Sequence, residues 1–271
     1  MTPRKRPFSG HKTESAASRR RHGRQSAGAS VFALAAETAQ IKRRNPVVLD
    51  QSEWALLGGS VGMPTLSPEF HEIKVAGETF RLPIVQLDEH TAIAHLIVIN
   101  MGIRFGELVG RALARRFASL KPDIVVGSAT LGIPVAIEVS RHLRLDRYLI
   151  LQKSLKFSLA DALSEEVKSV TTPLPQRLLL DRKSISVIQG KRVLVVDDVV
   201  TSGSSIAAAI RLLRRAGANV IGAGVILTEG NAWRAALGED AKLIDRLDHI
   251  PQFSVLDAVA TPIPETEAES A

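Results

Sequence analysis

The stretch that most constrains this chain is Val193–Ser205, where four apolar residues run into two acids, two valines and a small hydroxylated loop. Val193, Leu194, Val195 and Val196 show no apolar–polar alternation, which predicts a strand covered on both faces. Asp197 and Asp198 close that run, Val199 and Val200 follow, and then come Thr201, Ser202, Gly203, Ser204 and Ser205. Ile206, Ile210, Leu213 and Gly217 recur at helical spacing, so a helix starts near Gly203. Strand, acidic tip, loop and helix in this order make an anion site. The first N–H groups of a helix have no intrahelical partner, and its dipole favours negative charge there. Gly203 lets the backbone approach a ligand, and the hydroxyls add donors. The carboxylates only accept hydrogen bonds, so they suit vicinal hydroxyls. A phosphate beside a diol is a sugar phosphate. Taken singly, an Asp-Asp pair is an ordinary solvated turn and Thr-Ser-Gly-Ser an ordinary helix cap; their ordered combination carries the reading.

The rest of the chain supplies a sheet for that loop. Ile124–Val126, Tyr148–Leu151, Val193–Val196 and Val220–Leu227 are short apolar runs separated by helical patterns, which predicts a parallel sheet in α/β order. Phe105, Leu108, Val109, Ala112, Leu113 and Phe117 mark one amphipathic helix, whose other face carries Arg111, Arg115 and Arg116, expected to be solvated. Gly127–Pro134 is a Gly-bounded turn into another, with Pro134 in its first turn. Ligands of such sheets sit beyond the carboxyl ends of the strands, so the loops after Val126, Leu151, Val196 and Leu227 should surround one crevice. Upstream, Phe70–Val75 and Thr79–Val85 flank the hairpin signal Ala76-Gly77-Glu78; Ala92–Ile99 reads as strand or helix. Residues 45–99 are thus expected to form a small, mostly β lobe, 100–260 the α/β core and 261–271 a polar tail.

Val193–Ser205 resembles the 5-phosphoribosyl-1-pyrophosphate (PRPP) motif of type I phosphoribosyltransferases, nearest the adenine/xanthine subgroup. The resemblance implies that Asp197 and Asp198 bind the ribose hydroxyls. It assigns the 5′-phosphate to Thr201, Ser202, Gly203, Ser204 and Ser205, with Val199 and Val200 between. Ser128, Ala129, Thr130, Leu131 and Gly132 fall where the family grips the diphosphate with backbone amides and a strained peptide. Ala129 stands where adenine and xanthine enzymes usually have an acid. Residues 153–190, long and with little periodicity, fall where the family has a mobile hood. Lys153 and Lys156 are the candidates to meet the leaving pyrophosphate, with surface lysines as the plain alternative. After the last core strand, Glu229 and Trp233 are candidate base contacts, although Glu229 departs from the lysine of xanthine-type members and Trp233, like Phe157, also suits a core.

The implied reaction joins a base, expected to be an adenine-like purine, to PRPP, giving a nucleoside monophosphate and pyrophosphate. Mg²⁺ is expected, held mainly through PRPP, and no protein metal ligand is assigned. The chain is expected to be a cytoplasmic homodimer. A PRPP-sensing regulator that binds nucleic acid is the alternative.

Charge and cysteine content narrow these options. The formal net charge is +7, but residues 1–44 carry +9 and residues 45–271 carry −2. The basic excess therefore lies in a Ser-, Arg-, Gly- and Ala-rich tail with too few large apolar side chains to offset the entropy of ordering, so residues 1–44 are expected to be disordered. A solvated tail, a contact with nucleic acid, a targeting segment and a translation start placed too early all remain open for it. The absence of cysteine excludes disulfides, thiolate metal sites and a cysteine nucleophile. No apolar run reaches membrane-spanning length, and no membrane contact is expected.

Overall fold

A computed structural model describes residues 66–154, 161–167, 176–256 and 258–264 of the 271. Residues 1–44, together with Lys156 and Phe157, lie outside them.

The small lobe begins with β1 (Phe70–Val75), β2 (Glu78–Gln86) and β3 (Thr91–Ala94), all antiparallel. The Ala76-Gly77 turn joins β1 to β2 as its residues predict, and alternate residues Ile73, Val75, Phe80 and Leu82 are buried. Of the ambiguous run Ala92–Ile99, only the first part is strand. α1 (Gly102–Phe117) then buries Phe105, Leu108, Val109, Leu113 and Phe117, as its periodicity requires.

The core follows as β4 (Ile124–Ser128), α2 (Gly132–Leu143), β5 (Tyr148–Leu151), β6 (Leu163–Val167), β7 (Gln176–Leu180), α3 (Ile185–Ile188), β8 (Arg192–Val200), α4 (Ser204–Arg215), β9 (Asn219–Glu229), α5 (Ala232–Leu237) and β10 (Ile244–Ile250). Five of these strands form a parallel sheet in the order β10-β9-β8-β4-β5. β10 adds a fifth strand to the four expected; its mixed sequence, Ile-Asp-Arg-Leu-Asp-His-Ile, hides it from a search for apolar runs. Leu194 and Val196 join α1, α2 and the small lobe in one cluster, whereas Val193 and Val195 join α4 and α5 in the other. Cover on both faces accounts for the missing alternation.

Two expectations are corrected. Residues 153–190 are not irregular throughout: β6 and β7 pair antiparallel from Leu163↔Leu180 to Val167↔Gln176. Val167, Leu178 and Leu180 pack in the α4 cluster, and Glu165 accepts hydrogen bonds from Arg211 and Arg215 of α4. Contacts made forty to fifty residues away hold this arm, which local periodicity cannot reveal. The C-terminal strands β11 (Phe253–Leu256) and β12 (Val259–Pro262) also complete the small-lobe sheet in the order β1-β2-β3-β11-β12. Thr261 and Pro262, expected in a polar tail, are therefore strand residues, and Phe253 is buried beneath the lobe.

Among the described residues, no helix is long and apolar enough to cross a membrane.

Candidate functional site

The strand order reverses between β4 and β8. From β4 the chain moves outward to β5, and from β8 it moves the other way to β9 and β10. The helices that follow leave on opposite faces, α2 with one core cluster and α4 with the other. Their departure opens a crevice at the carboxyl ends of β4 and β8, where doubly wound sheets hold ligands.

β8 supplies the floor. It runs through Val200, so Asp197 and Asp198 lie within the strand and not at its tip. The strand continues because β9 does: Asp197 pairs with Val225, Val199 with Leu227 and Val200 with Thr228. Gly203 is the N-cap of α4 with φ +77°, a conformation that favours glycine, and it has no side chain with which to cap the helix. The helix therefore offers its leading N–H groups to a ligand. Ser202 Oγ lies 3.2 Å from Ser204 Oγ and accepts the Ser204 N–H at 3.4 Å. Asp197, Thr201, Ser202, Gly203 and Ser205 line a cavity of about 180 Å³ there. The hydroxyls and the helix end suit a phosphate.

Two residues expected at the base support this loop instead. Glu229 is the last residue of β9, 3% exposed, and its Oε2 accepts the Thr201 hydroxyl at 2.6 Å. Burial raises its pKa above the usual carboxylate range, against a lowering by that bond. Trp233 is 2% exposed and lies in the α4 cluster, its Nε1 donating to the Gly230 carbonyl at 3.0 Å. A Cβ at residue 203 would come within 2.8 Å of the Trp233 carbonyl oxygen. Trp233 is thus a packing residue beneath Gly203, with no free ring face to stack on a base. Sequence allowed either role; burial decides.

The opposite wall comes from β4. Ser128 ends that strand and is buried, and the Ala129 N–H donates to the Leu151 carbonyl at 2.9 Å. The Ala129–Thr130 peptide is cis, the Ile133 N–H donates to Thr130 O at 3.2 Å, and Leu131 leads into α2 at Gly132. Gly132 lies against Asp197: a Cβ here would lie 2.7 Å from Asp197 Oδ1. The turn Ser128–Gly132 and the acids of β8 therefore share one crevice.

Charge in the crevice is unbalanced. Burial first, then the Asp198 charge, push Asp197 up to about 8, while Lys153 pulls it down. Burial also raises Asp198, with Lys153 again acting the other way. Lys153 is exposed just beyond β5 and is near enough for its charge to reach both acids. His95, half-buried after β3, is a further neighbour. Burial lowers its pKa, and Asp198 opposes that lowering. No local pattern marks His95, because the Asp198 charge that acts on it lies about a hundred positions along the chain. Among the described residues, no group of three or more His, Cys, Asp or Glu side chains is gathered to hold a metal ion.

Known proteins resemble this chain. The orotate phosphoribosyltransferase of Caldanaerobacter subterraneus subsp. tengcongensis is 31% identical over 123 residues, 45% of this chain and 53% of that protein. The purine biosynthesis transcriptional repressor PurR of Bacillus subtilis is 31% identical over 149 residues, 55% of this chain and 49% of the repressor. This chain spans about half the length of these curated relatives. The crystal structure of APRTase from Giardia lamblia complexed with 9-deazaadenine superposes with a TM-score of 0.50 at 17% identity, over 66% of this chain and 93% of that one, a likeness of fold. The family model for the phosphoribosyl transferase domain matches residues 100–256, which take in both walls of the crevice and more than half of the sequence, and the chain belongs to that family.

Proposed function

We propose that this protein transfers the 5-phosphoribosyl group of PRPP to a nitrogenous base, a purine of adenine type, releasing pyrophosphate and a nucleoside 5′-monophosphate. The contact between Gly132 and Asp197 carries the proposal, because it sets a diphosphate turn against a ribose-binding acid at the switch point of the sheet. The 5′-phosphate sits on the amino end of α4 against Thr201–Ser205. Asp197 and Asp198 accept from the ribose hydroxyls, and the amides of Ser128–Gly132 take the diphosphate. As the C1–oxygen bond breaks, positive charge develops on the sugar and negative charge on the departing diphosphate. Lys153 stabilises the charge on the departing diphosphate.

The two adjacent carboxylates, held in a buried crevice with raised pKa values, fit a hard cation brought in by the substrate. Mg²⁺ on the diphosphate would supply further positive charge to the leaving group, with Asp197 and Asp198 as the protein oxygens available to it. A relative that is a xanthine phosphoribosyltransferase, from Laribacter hongkongensis and 26% identical over 132 residues, supports a purine. The orotate relative makes orotate the competing base.

The test is base-dependent release of pyrophosphate from PRPP with adenine, guanine, hypoxanthine, xanthine and orotate. Adenine is expected to react fastest, and a preference for orotate would overturn the purine assignment. The PurR relative favours a second reading, a PRPP-responsive nucleic-acid-binding regulator with residues 1–44 as the basic contact. PRPP binding without release of pyrophosphate for any base would select that reading. DNA binding should then fall steeply with salt and be lost on deletion of residues 1–44.

A further inference from the structure

A second concave site lies at the other end of the sheet. Lys121 and Pro122 lie just before β4, one residue short of it, and Arg144 follows the end of α2, so this cavity opens at the amino edge of the strands. That is roughly 15 Å, the length of a five-residue strand, from the crevice. Its volume is about 590 Å³, against about 180 Å³ at the phosphate loop. The larger figure falls in the range of small-molecule sites.

Its lining is one-sided in charge. Arg111, Arg115, Lys121 and Arg144 contribute four cations, His142 adds an imidazole, and no carboxylate lines the cavity. Solvated helix-end arginines would be the plain account, and α1 and α2 do end here. Each helix carboxyl end carries roughly half a negative charge, so two ends offset about one of the four cations. The remaining surplus is not met by acids. Neighbouring Arg116 and Arg141 pair with Asp245 and Glu138, whereas the four lining cations have no ion-pair partner among the described residues. Lys121 and Arg144 also hold left-handed backbone positions, φ 49° and 58°, where glycine or asparagine would be usual. His142 Nε2 is covered from solvent and has no hydrogen-bond partner among the described residues.

We propose that this cavity binds a small polyphosphate, three or more negative charges on a linear phosphate chain, at a site separate from the PRPP crevice. A single monoanion would leave most of the surplus charge unmet, whereas a phosphate chain presents several oxygens to separate cations. Ala114, Ala118, Pro122 and Leu143 give the rest of the wall an apolar surface, suited to the organic part of a nucleoside polyphosphate.

Calorimetric titration of the full chain with inorganic triphosphate, without Mg²⁺ and at constant salt, tests this. One site per chain is expected. The double variant Arg111→Gln/Arg144→Gln should weaken it by about tenfold or more, since two charge-assisted contacts are lost at partly exposed positions. The double variant should keep its melting temperature and its affinity for PRPP with Mg²⁺. Ser202→Ala/Ser205→Ala, which alters the phosphate loop, should leave triphosphate binding intact. Loss in the loop variant with retention in the arginine variant would overturn the proposal. So would weak, unsaturable uptake that neither variant alters. A parallel titration with ATP separates the sources: tighter binding than triphosphate assigns the cavity to a nucleoside polyphosphate, and equal binding to the phosphate chain alone.

Discussion

Replacing Gly132 with alanine should separate ligand binding from folding. Gly132 has no left-handed φ and opens α2, so alanine meets no backbone strain there and gains about 0.5–1 kcal/mol in helix propensity. The new Cβ would lie 2.7 Å from Asp197 Oδ1, where ordinary contact begins at 3.4 Å. The carboxylate must then withdraw by about 0.7 Å, a side-chain rotation of roughly 20° costing about 1 kcal/mol or less. The two effects on the fold nearly cancel, and the melting temperature should move by only a few degrees. The ligand meets the full displacement. A charge-assisted bond to a ribose hydroxyl, about 1.5–3 kcal/mol, is stretched beyond hydrogen-bond distance. PRPP affinity should fall by about 10- to 150-fold. Calorimetric titration with PRPP and Mg²⁺, alongside scanning calorimetry of the free protein, measures both. Unchanged PRPP affinity in a folded variant would refute the placement of Asp197 at the ribose, and a collapse in melting temperature would refute the division between fold and site.

Other expectations follow from the same crevice. The folded protein holds the Asp197 proton more tightly than the unfolded chain, so between pH 3.8 and about 8 this residue lowers stability as pH rises. Asp197→Asn should melt above the parent at pH 8, show little gain at pH 4 and bind PRPP poorly; an equal gain at both pH values would show that the carboxyl is not desolvated. Lys153→Ala should lower turnover more than PRPP affinity, because the lysine acts on charge that develops as the diphosphate leaves, and full activity would remove that role. Trp233→Ala should cost about 3–5 kcal/mol of stability, the usual loss for a buried tryptophan. Trp233→Phe should leave the ranking of bases unchanged, and a reordered ranking would return Trp233 to the base pocket.

What the sequence determined by itself was local. The order of residues in Val193–Ser205 encodes a buried strand, an acidic pair and a helix start at a glycine within thirteen consecutive positions, and the fold keeps that order. The β1–β2 hairpin, the buried stripe of α1 and the strand Tyr148–Leu151 were legible for the same reason: propensity and periodicity act over a few residues. Tertiary structure decided what depended on distant partners. Trp233 is a core residue because Gly203, thirty positions earlier, lies against it. Glu229 faces Thr201 because β9 continues beside β8. His95 reaches Asp198 only once the small lobe has folded. β6 and β7 become an arm because α4 offers them an apolar face and two arginines. Arg111, Arg115, Lys121 and Arg144 line one cavity because the ends of α1 and α2 are brought together. Burial and charge balance are sums over spatial neighbours, so residues far apart in the chain set their values.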